Sequence, residues 1–204
     1  LLGALRSYLL KRKYGPSIIV VSGLPRSGTS MMMKMLSAGG LELATDNIRT
    51  ADEDNPKGYF ELERVKELDK GGDKCWLGEY RGKVVKIISF LLRELPNDFH
   101  YKVIFMHRNF EEIIASQNKM LVRRGEPTDE ANDEKMIQLY RKHLRKVKFM
   151  LESGGNFSAI DASYRDILDR PVEHAARIAE FIGMDLDSDK MVGAVDRQLY
   201  RNRR

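Results

Sequence analysis

Short unbroken apolar runs separated by stretches of helical spacing set the pattern of this chain. Ile18, Ile19, Val20 and Val21 form a β-branched run, the signature of a strand buried on both faces of a parallel sheet. Lys83–Ser89 (KVVKIIS) and Tyr101–His107 (YKVIFMH) read the same way, and Asn156–Asp161 is expected to be a further strand. Between these runs the spacing turns helical. Ser30–Ala38 presents Met and Leu to a core, with Gly39-Gly40 expected to end it in a left-handed cap. Leu62, Val65 and Leu68 predict a helix after Glu61. Asn109–Arg124 opens on Asn109 and Glu112 in capping-box spacing and closes at Gly125. Asp133–Ser153 puts Met136, Tyr140, Leu144, Val147 and Leu151 on one face, and Pro171–Phe181 starts on proline and stops before Gly183. Leu2, Leu5 and Leu9 predict an N-terminal helix within residues 1–16 that packs on the domain, the other readings being a membrane-surface helix or a stalk remnant. The alternation predicts an α/β protein with three layers, α/β/α, around a central, mostly parallel sheet.

Length fits one domain, residues 1–204, with a substantial core and no room for a second of full size. No apolar run approaches the ~18 residues of a membrane span. The formal charge of +5 and pI near 9.2 favour anionic ligands without choosing among a nucleotide, a polyanionic acceptor and nucleic acid. A lone cysteine, Cys75, excludes an internal disulfide and is expected to be a small core residue, which suits a reducing, cytoplasmic setting. The first residue is Leu, so a preceding leader or anchor stays open, with a lumenal domain of an anchored enzyme as the other location. His100, His107, His143 and His174 have no metal-ligand spacing, and no metal is expected.

The candidate chemistry begins at Gly23-Leu24-Pro25-Arg26-Ser27-Gly28-Thr29-Ser30, a glycine-punctuated loop that feeds a helix. Such a loop turns backbone N–H groups toward an anion at the positive end of a helix dipole, and the hydroxyls of Ser27, Thr29 and Ser30 add donors. The glycine spacing is that of a Walker-type P-loop, but Thr29 stands where the lysine belongs, which disfavours an ordinary ATPase or GTPase. Arg26 lies inside the loop, where a guanidinium can fork onto a phosphate or sulfate.

Pro25-Arg26-Ser27-Gly28-Thr29-Ser30 resembles the 5′-phosphosulfate-binding loop of sulfotransferases, commonly Pro-Lys-Ser-Gly-Thr-Thr. Arg108-Asn109 followed by Ser116 matches that family's 3′-phosphate motif, with Phe110 in place of Pro and Glu112 in place of Asp. Asn55-Pro56-Lys57-Gly58-Tyr59-Phe60-Glu61 looks like a segment of bacterial sulfotransferase-like proteins, which implies Glu61 as general base; the competing role is that Glu61 starts a helix. Lys86 with Leu95-Pro96 is similar to the family's Lys-Thr-His-Leu-Pro segment, but Ile88 occupies the histidine's place, so the base shifts to Glu61. The alternative for Lys86 is an edge-strand lysine that snorkels to solvent. Tyr164 matches the tyrosine of a Tyr-Glu-Asp-Leu segment that lies near adenine, although Arg165 replaces the acidic residue.

The resemblance implies a 3′-phosphoadenosine 5′-phosphosulfate (PAPS)-dependent sulfotransferase that releases the 3′,5′-bisphosphate (PAP), with Glu61, Lys86 and Arg26 catalytic and no metal. Two anion sites suit a nucleotide phosphorylated at both ends. The implied acceptor is a small molecule or glycan, not nucleic acid, in a pocket rimmed by residues 41–57, 71–81 and 123–132. Trp76 either stacks on a ligand or packs beneath its loop. The basic face of Arg141, Lys142, Arg145, Lys146 and Lys148 is either solvated surface or a strip for an anionic acceptor. The tail, 196–204, lacks the family's Arg-Lys-Gly triplet, for which Arg201 or Arg203 can substitute. The rival readings are a nucleotide or small-molecule kinase on a P-loop scaffold and a non-catalytic nucleotide-binding scaffold.

Overall fold

The computed structural model describes residues 2–46, 58, 60–128 and 132–196. Its strands are β1 (Ile18–Gly23), β2 (Val84–Lys86), β3 (Tyr101–His107) and β4 (Phe157–Ser163), paired in parallel in the order β2-β1-β3-β4. The helices are α1 (Leu2–Tyr14), α2 (Thr29–Ala38), α3 (Phe110–Arg123), α4 (Asp133–Ser153), α5 (Tyr164–Asp169), α6 (Pro171–Ile182) and α7 (Ser188–Gly193). Val20 stands opposite Val85 on one side and Val103 on the other, so β1 is central and all six of its residues are buried.

Alternation along the strands makes the two outer layers. Ile19, Val21, Ile104 and Met106 face α2, α5, α6 and α7. Their neighbours Ile18, Val20, Val103 and Phe105 face α4 and three short 3-10 segments, Glu63–Lys70, Cys75–Tyr80 and Ser89–Glu94. Helix α3 joins α4 through Ile113, Ile114, Ile137 and Tyr140, with Leu24 of the loop after β1 inserted among them. The result is the α/β/α arrangement with a parallel sheet.

Where the elements depart from the apolar pattern, the cause is local. KVVKIIS supplies a strand of three residues instead of seven. The chain leaves the sheet after Ile87 N donates to Val21 O, and the next turn is captured from the other layer: Ser89 Oγ lies 2.9 Å from His143 Nε2 and Phe90 stacks on that ring at 4.0 Å. The segment after Glu61 is a 3-10 and not an α-helix, and the spacing of Leu62, Val65 and Leu68, each three apart, is its period. Gly39 ends α2 in a right-handed conformation, and Gly40 takes the left-handed position at φ +102°. Gly39 is required for another reason: a Cβ there would sit 2.7 Å from Cγ of the fully buried Met191 on α7, a helix the sequence pattern did not announce.

Cys75 is exposed, not a core residue, because its backbone N–H donates to Asp73 Oδ1 at the head of a surface turn. Its neighbour Trp76 is buried beneath the loop, with the Arg64 guanidinium 4.7 Å over the ring. Helix α1 leaves part of its apolar surface in solvent. Leu5, Tyr8 and Leu9 are more than half exposed, and its links to the sheet are Arg6 Nη2 donating to Phe157 O and Tyr14 stacked on His100. Among the described residues no helix is long and apolar enough to cross a membrane.

His100 gives the fold a pH dependence. It is buried with Nδ1 2.7 Å from Ser17 Oγ and Nε2 3.0 Å from Ser158 Oγ, a pair of partners that a neutral imidazole satisfies with its one donor and one acceptor. Burial, then the charges of Lys102 and Arg6, bring its pKa down from 6.5 to about 4. The unfolded chain therefore binds the extra proton between those two values, so stability falls as pH drops from 6.5 and levels off below about 4. The full loss is on the order of 3 kcal/mol. Urea unfolding of wild type across this range should show that slope and His100→Gln should flatten it; an unchanged slope in the variant would assign it to other groups.

Candidate active site

The loop after β1 is held in conformations that few residues accept. Gly23 lies at φ +150°, and a Cβ on it would meet Ser27 Oγ at 2.5 Å and Met106 O at 2.7 Å. Ser27 N closes a turn on Leu24 O at 3.1 Å. Arg26 is at φ +69°, a left-handed position that costs a non-glycine residue about 1–3 kcal/mol, as is usual of residues fixed for a task. Gly28, at φ +100°, is the N-cap of α2 and brings no side chain to its first turn. A Cβ there would stand 2.4 Å from Tyr164 Cδ2, so the ring of Tyr164 is the floor on which the loop lies. Ser27 Oγ is buried with no hydrogen-bond partner among the described residues. A buried hydroxyl without a partner inside a cradle of this kind matches an anion-binding loop.

Arg26 joins this loop to α3. Its Nε donates to Ser116 Oγ at 3.0 Å, and its backbone O accepts from Arg108 Nη1 at 3.2 Å. Arg108 stands just past the end of β3, the edge where ligands gather in open parallel sheets. Its Nε donates to Glu112 Oε2 at 2.9 Å and its guanidinium lies 4.6 Å over the Tyr164 ring. Both members of the Arg108–Glu112 pair are almost wholly buried. Asn109 caps α3 by accepting from Glu112 N, but the Glu112 carboxylate turns to Arg108, so the capping box is half formed. Burial raises the Tyr164 phenol above its ordinary pKa, with Arg108 pulling the other way. The ring is 5% exposed, which makes it a support for the loop and for Arg108 more than a surface for a base.

The second half of the site lies on β2. Lys86, pointing to the α2 layer, has Nζ 3.3 Å from Glu61 Oε1 and 3.4 Å from Ser30 Oγ. Glu61 does not start the helix after it. The 3-10 segment begins at Glu63, whose N–H donates to Asp46 Oδ2, and Asp46 therefore supplies the helix-start carboxylate. The backbone O of Glu61 accepts from Thr45 Oγ1 and Asp46 N, and Phe60 before it sits at φ +51°. Glu61 is thus aimed by a clasped and strained backbone.

One contact network holds Arg26, Gly28, Arg108, Ser116 and Tyr164, and a second holds Ser30, Glu61 and Lys86, both anchored on the same loop. Pro25 lies within the loop's turn beside Arg26, and Thr29 is the first residue of α2. Of the expected site elements, Asn55-Pro56-Lys57, Tyr59, residues 47–57 and 129–131 of the pocket rim, and 197–204 with Arg201 and Arg203 lie outside the described residues. Sequence reasoning passed over Glu112 as a buried partner, although its place four residues after Arg108 is the spacing of a helical ion pair. Asp46 had no signal, since only folding brings it to Glu63. Among the described residues no group of His, Cys, Asp or Glu is placed to hold a metal ion.

Comparison of the whole fold with solved structures returns bacterial sulfotransferases. An Alicyclobacillus acidocaldarius sulfotransferase superposes with a TM-score of 0.51 at 15% identity over 85% of this chain and 82% of that one. The fold is that of the sulfotransferases. The sulfotransferase domain of the curacin biosynthetic pathway superposes with a TM-score of 0.51 at 15% identity, covering 89% of this chain and 78% of that one. A Mycobacterium tuberculosis sulfotransferase reaches 0.55 at 15% identity, over 93% and 75%. No protein-family model matches the chain, and no curated protein sequence matches it. In this chain β1 lies inside the sheet and runs through the glycine loop into α2, where the two contact networks meet.

Proposed function

We propose that the protein is a sulfotransferase that moves a sulfuryl group from PAPS to a hydroxyl or amine of a small-molecule or glycan acceptor and releases PAP. The observation that carries this reading is Arg26 bonded at once to Ser116 and, through its carbonyl, to Arg108. That contact brings an arginine and a hydroxyl beside a glycine loop, which supports a ligand with two anionic ends such as a doubly phosphorylated adenosine. An ordinary nucleoside triphosphate has one phosphate cluster and no use for two.

The chain's own groups then divide the work. Arg108 and Ser116 hold the ribose 3′-phosphate by charge, fork and hydroxyl. The loop N–H groups, Ser27 and Thr29 hold the 5′ end. The acceptor oxygen bonds to sulfur as the bond from sulfur to the bridging oxygen breaks, in line and through a loose transition state by analogy with phosphoryl transfer. Glu61 takes the acceptor's proton, and the electron pair stays on the departing phosphate oxygen. Lys86 answers that charge. The ion pair makes the two events one: once Glu61 is protonated it no longer holds the ammonium, and Lys86 turns fully to the leaving oxygen. The exposed, unpaired Cys75 suits a reducing, cytoplasmic setting.

Isothermal titration calorimetry with PAP and with ATP plus magnesium tests the donor, and transfer of radiolabelled sulfate from PAPS to a panel of hydroxylated acceptors tests the reaction. PAP binding without metal, and tighter than ATP, is the expected result. Preference for ATP with magnesium would make the protein a kinase, and tight PAP binding with no transfer would make it a scaffold.

A further inference from the structure

On the face of the sheet covered by α4, away from the glycine loop, the fold leaves a cavity of about 930 Å³ between that helix and the β3–β4 edge. Its floor is apolar: Phe105, Phe110, Leu144, Val147 and Phe157 line it. Its rim is basic, with Arg141, Arg145 and Lys148 from α4 and Arg6 from α1. Two carboxylates share the rim. Glu152 pairs with Lys148 at 3.8 Å, and Asp161 pairs with His107. Among the described residues Arg141 and Arg145 form no ion pair, and Arg141 rests 5.8 Å over the Phe110 ring. They lie one helical turn apart on the same face.

The long axis follows α4. Arg141 lies at the Phe110 end, and Glu152 lies at the end where Arg6 donates to Phe157 O. At 1.5 Å per residue that span is about 16 Å. Cavities of ~300–1,000 Å³ take small molecules, and this one joins a long apolar floor to a pair of cations at one end. A sugar polyanion does not use such a floor, and a neutral lipid does not use the guanidinium pair.

We propose that this groove binds a long-chain carboxylate, its alkyl chain along Leu144, Val147 and Phe157 and its head group on Arg141 and Arg145. The site is independent of nucleotide. Neither network of the candidate active site contributes to the floor, and the two regions approach where His107 and Phe110 flank Arg108-Asn109 and where Leu24 packs near Phe110 and Leu144.

A dansyl-labelled undecanoate titrated into the full chain, followed by displacement with dodecanoate or dodecanol, reads the site directly. One probe is expected per chain, displaced by dodecanoate and about tenfold less effectively by dodecanol. Arg141→Gln with Arg145→Gln should weaken dodecanoate by about tenfold or more, glutamine keeping helix propensity and both positions being exposed. Ala159→Phe, on the exposed stretch of β4 that lines the cavity, should fill it and abolish binding while circular dichroism and the affinity for PAP stay unchanged. Arg108→Ala with Glu112→Gln, which is designed to keep the fold while weakening PAP, should leave dodecanoate binding intact, so this site and the donor reading succeed or fail separately. The proposal is overturned if no probe binds, if dodecanol matches dodecanoate, or if either groove variant leaves affinity unchanged. A concentration-dependent dimer dispersed by Ala159→Phe, without carboxylate binding, would assign the groove to a second copy and overturn it as well.

Discussion

Lys86→Ala is expected to lower sulfuryl-transfer turnover by about 10²- to 10³-fold, the usual effect of removing one group that meets developing charge, while affinity for PAP changes little. The argument rests on where Lys86 stands. Its side chain is 9% exposed, and its Nζ reaches Glu61 and Ser30. A buried ammonium on a short strand is an expensive way to hold β2 in place, and a hydrophobic residue would serve the fold as well or better. The charge is therefore read as serving the reaction. Glu61→Gln should reproduce the loss in turnover, because the amide keeps the shape and a hydrogen bond to Lys86 but accepts no proton. The two effects should be less than additive, since each residue acts through the other. Steady-state rates with labelled sulfate, beside calorimetry with PAP, separate turnover from affinity. Full turnover in Lys86→Ala would reduce the pair to a structural ion pair and remove Glu61 as base along with it.

Arg108→Ala should act on two quantities at once, and its design must separate them. The guanidinium neutralises Glu112, whose side chain is 5% exposed, so alanine leaves a buried carboxylate with its main partner gone at a cost of about 3–5 kcal/mol in stability. On the proposed reading affinity for PAP should fall as well, since the 3′-phosphate would lose its forked cation. Arg108→Ala with Glu112→Gln distinguishes the two: stability should recover much of the way, whereas PAP affinity should not. Arg108→Lys should fold and keep part of the affinity, because the charge stays and the bidentate geometry goes. Wild-type PAP affinity in the folded double variant would show that the ribose phosphate lies elsewhere, and the pairing of Arg108 with Ser116 would then belong to the packing of α3 alone.

The order of elements was legible because strands and helices in this chain are separated by clear changes of period. Tyr101–His107 and Asp133–Ser153 occupy the expected spans, and β1 is buried throughout as an unbroken β-branched run requires. Failures came where a short apolar stretch had two possible partners. Ile87 to Ser89 could extend a strand, but His143, more than fifty residues later, holds Ser89 and Phe90 in the opposite layer. Helix α1 has leucines at helical spacing, yet exposes Leu5 and Leu9, because an arginine and a tyrosine reach the sheet first.

By itself the sequence determined the alternating α/β order, the glycine loop between β1 and α2, and the arginine at the end of β3 with a serine two turns on. These are local facts: periodicity, glycine at positive φ and the reach of one helix all act within a few residues of each other. Tertiary structure alone decided that Arg26 would bond Ser116, that Glu61 would meet Lys86 from across a loop, that Tyr164 would lie under Gly28, and that a basic helix would roof an apolar groove. The first three join residues between twenty-five and one hundred and thirty-six positions apart, and the groove joins α4 to strands on both sides of it in sequence. Such contacts are set by how layers stack on a twisted sheet, and no local period in the chain encodes them.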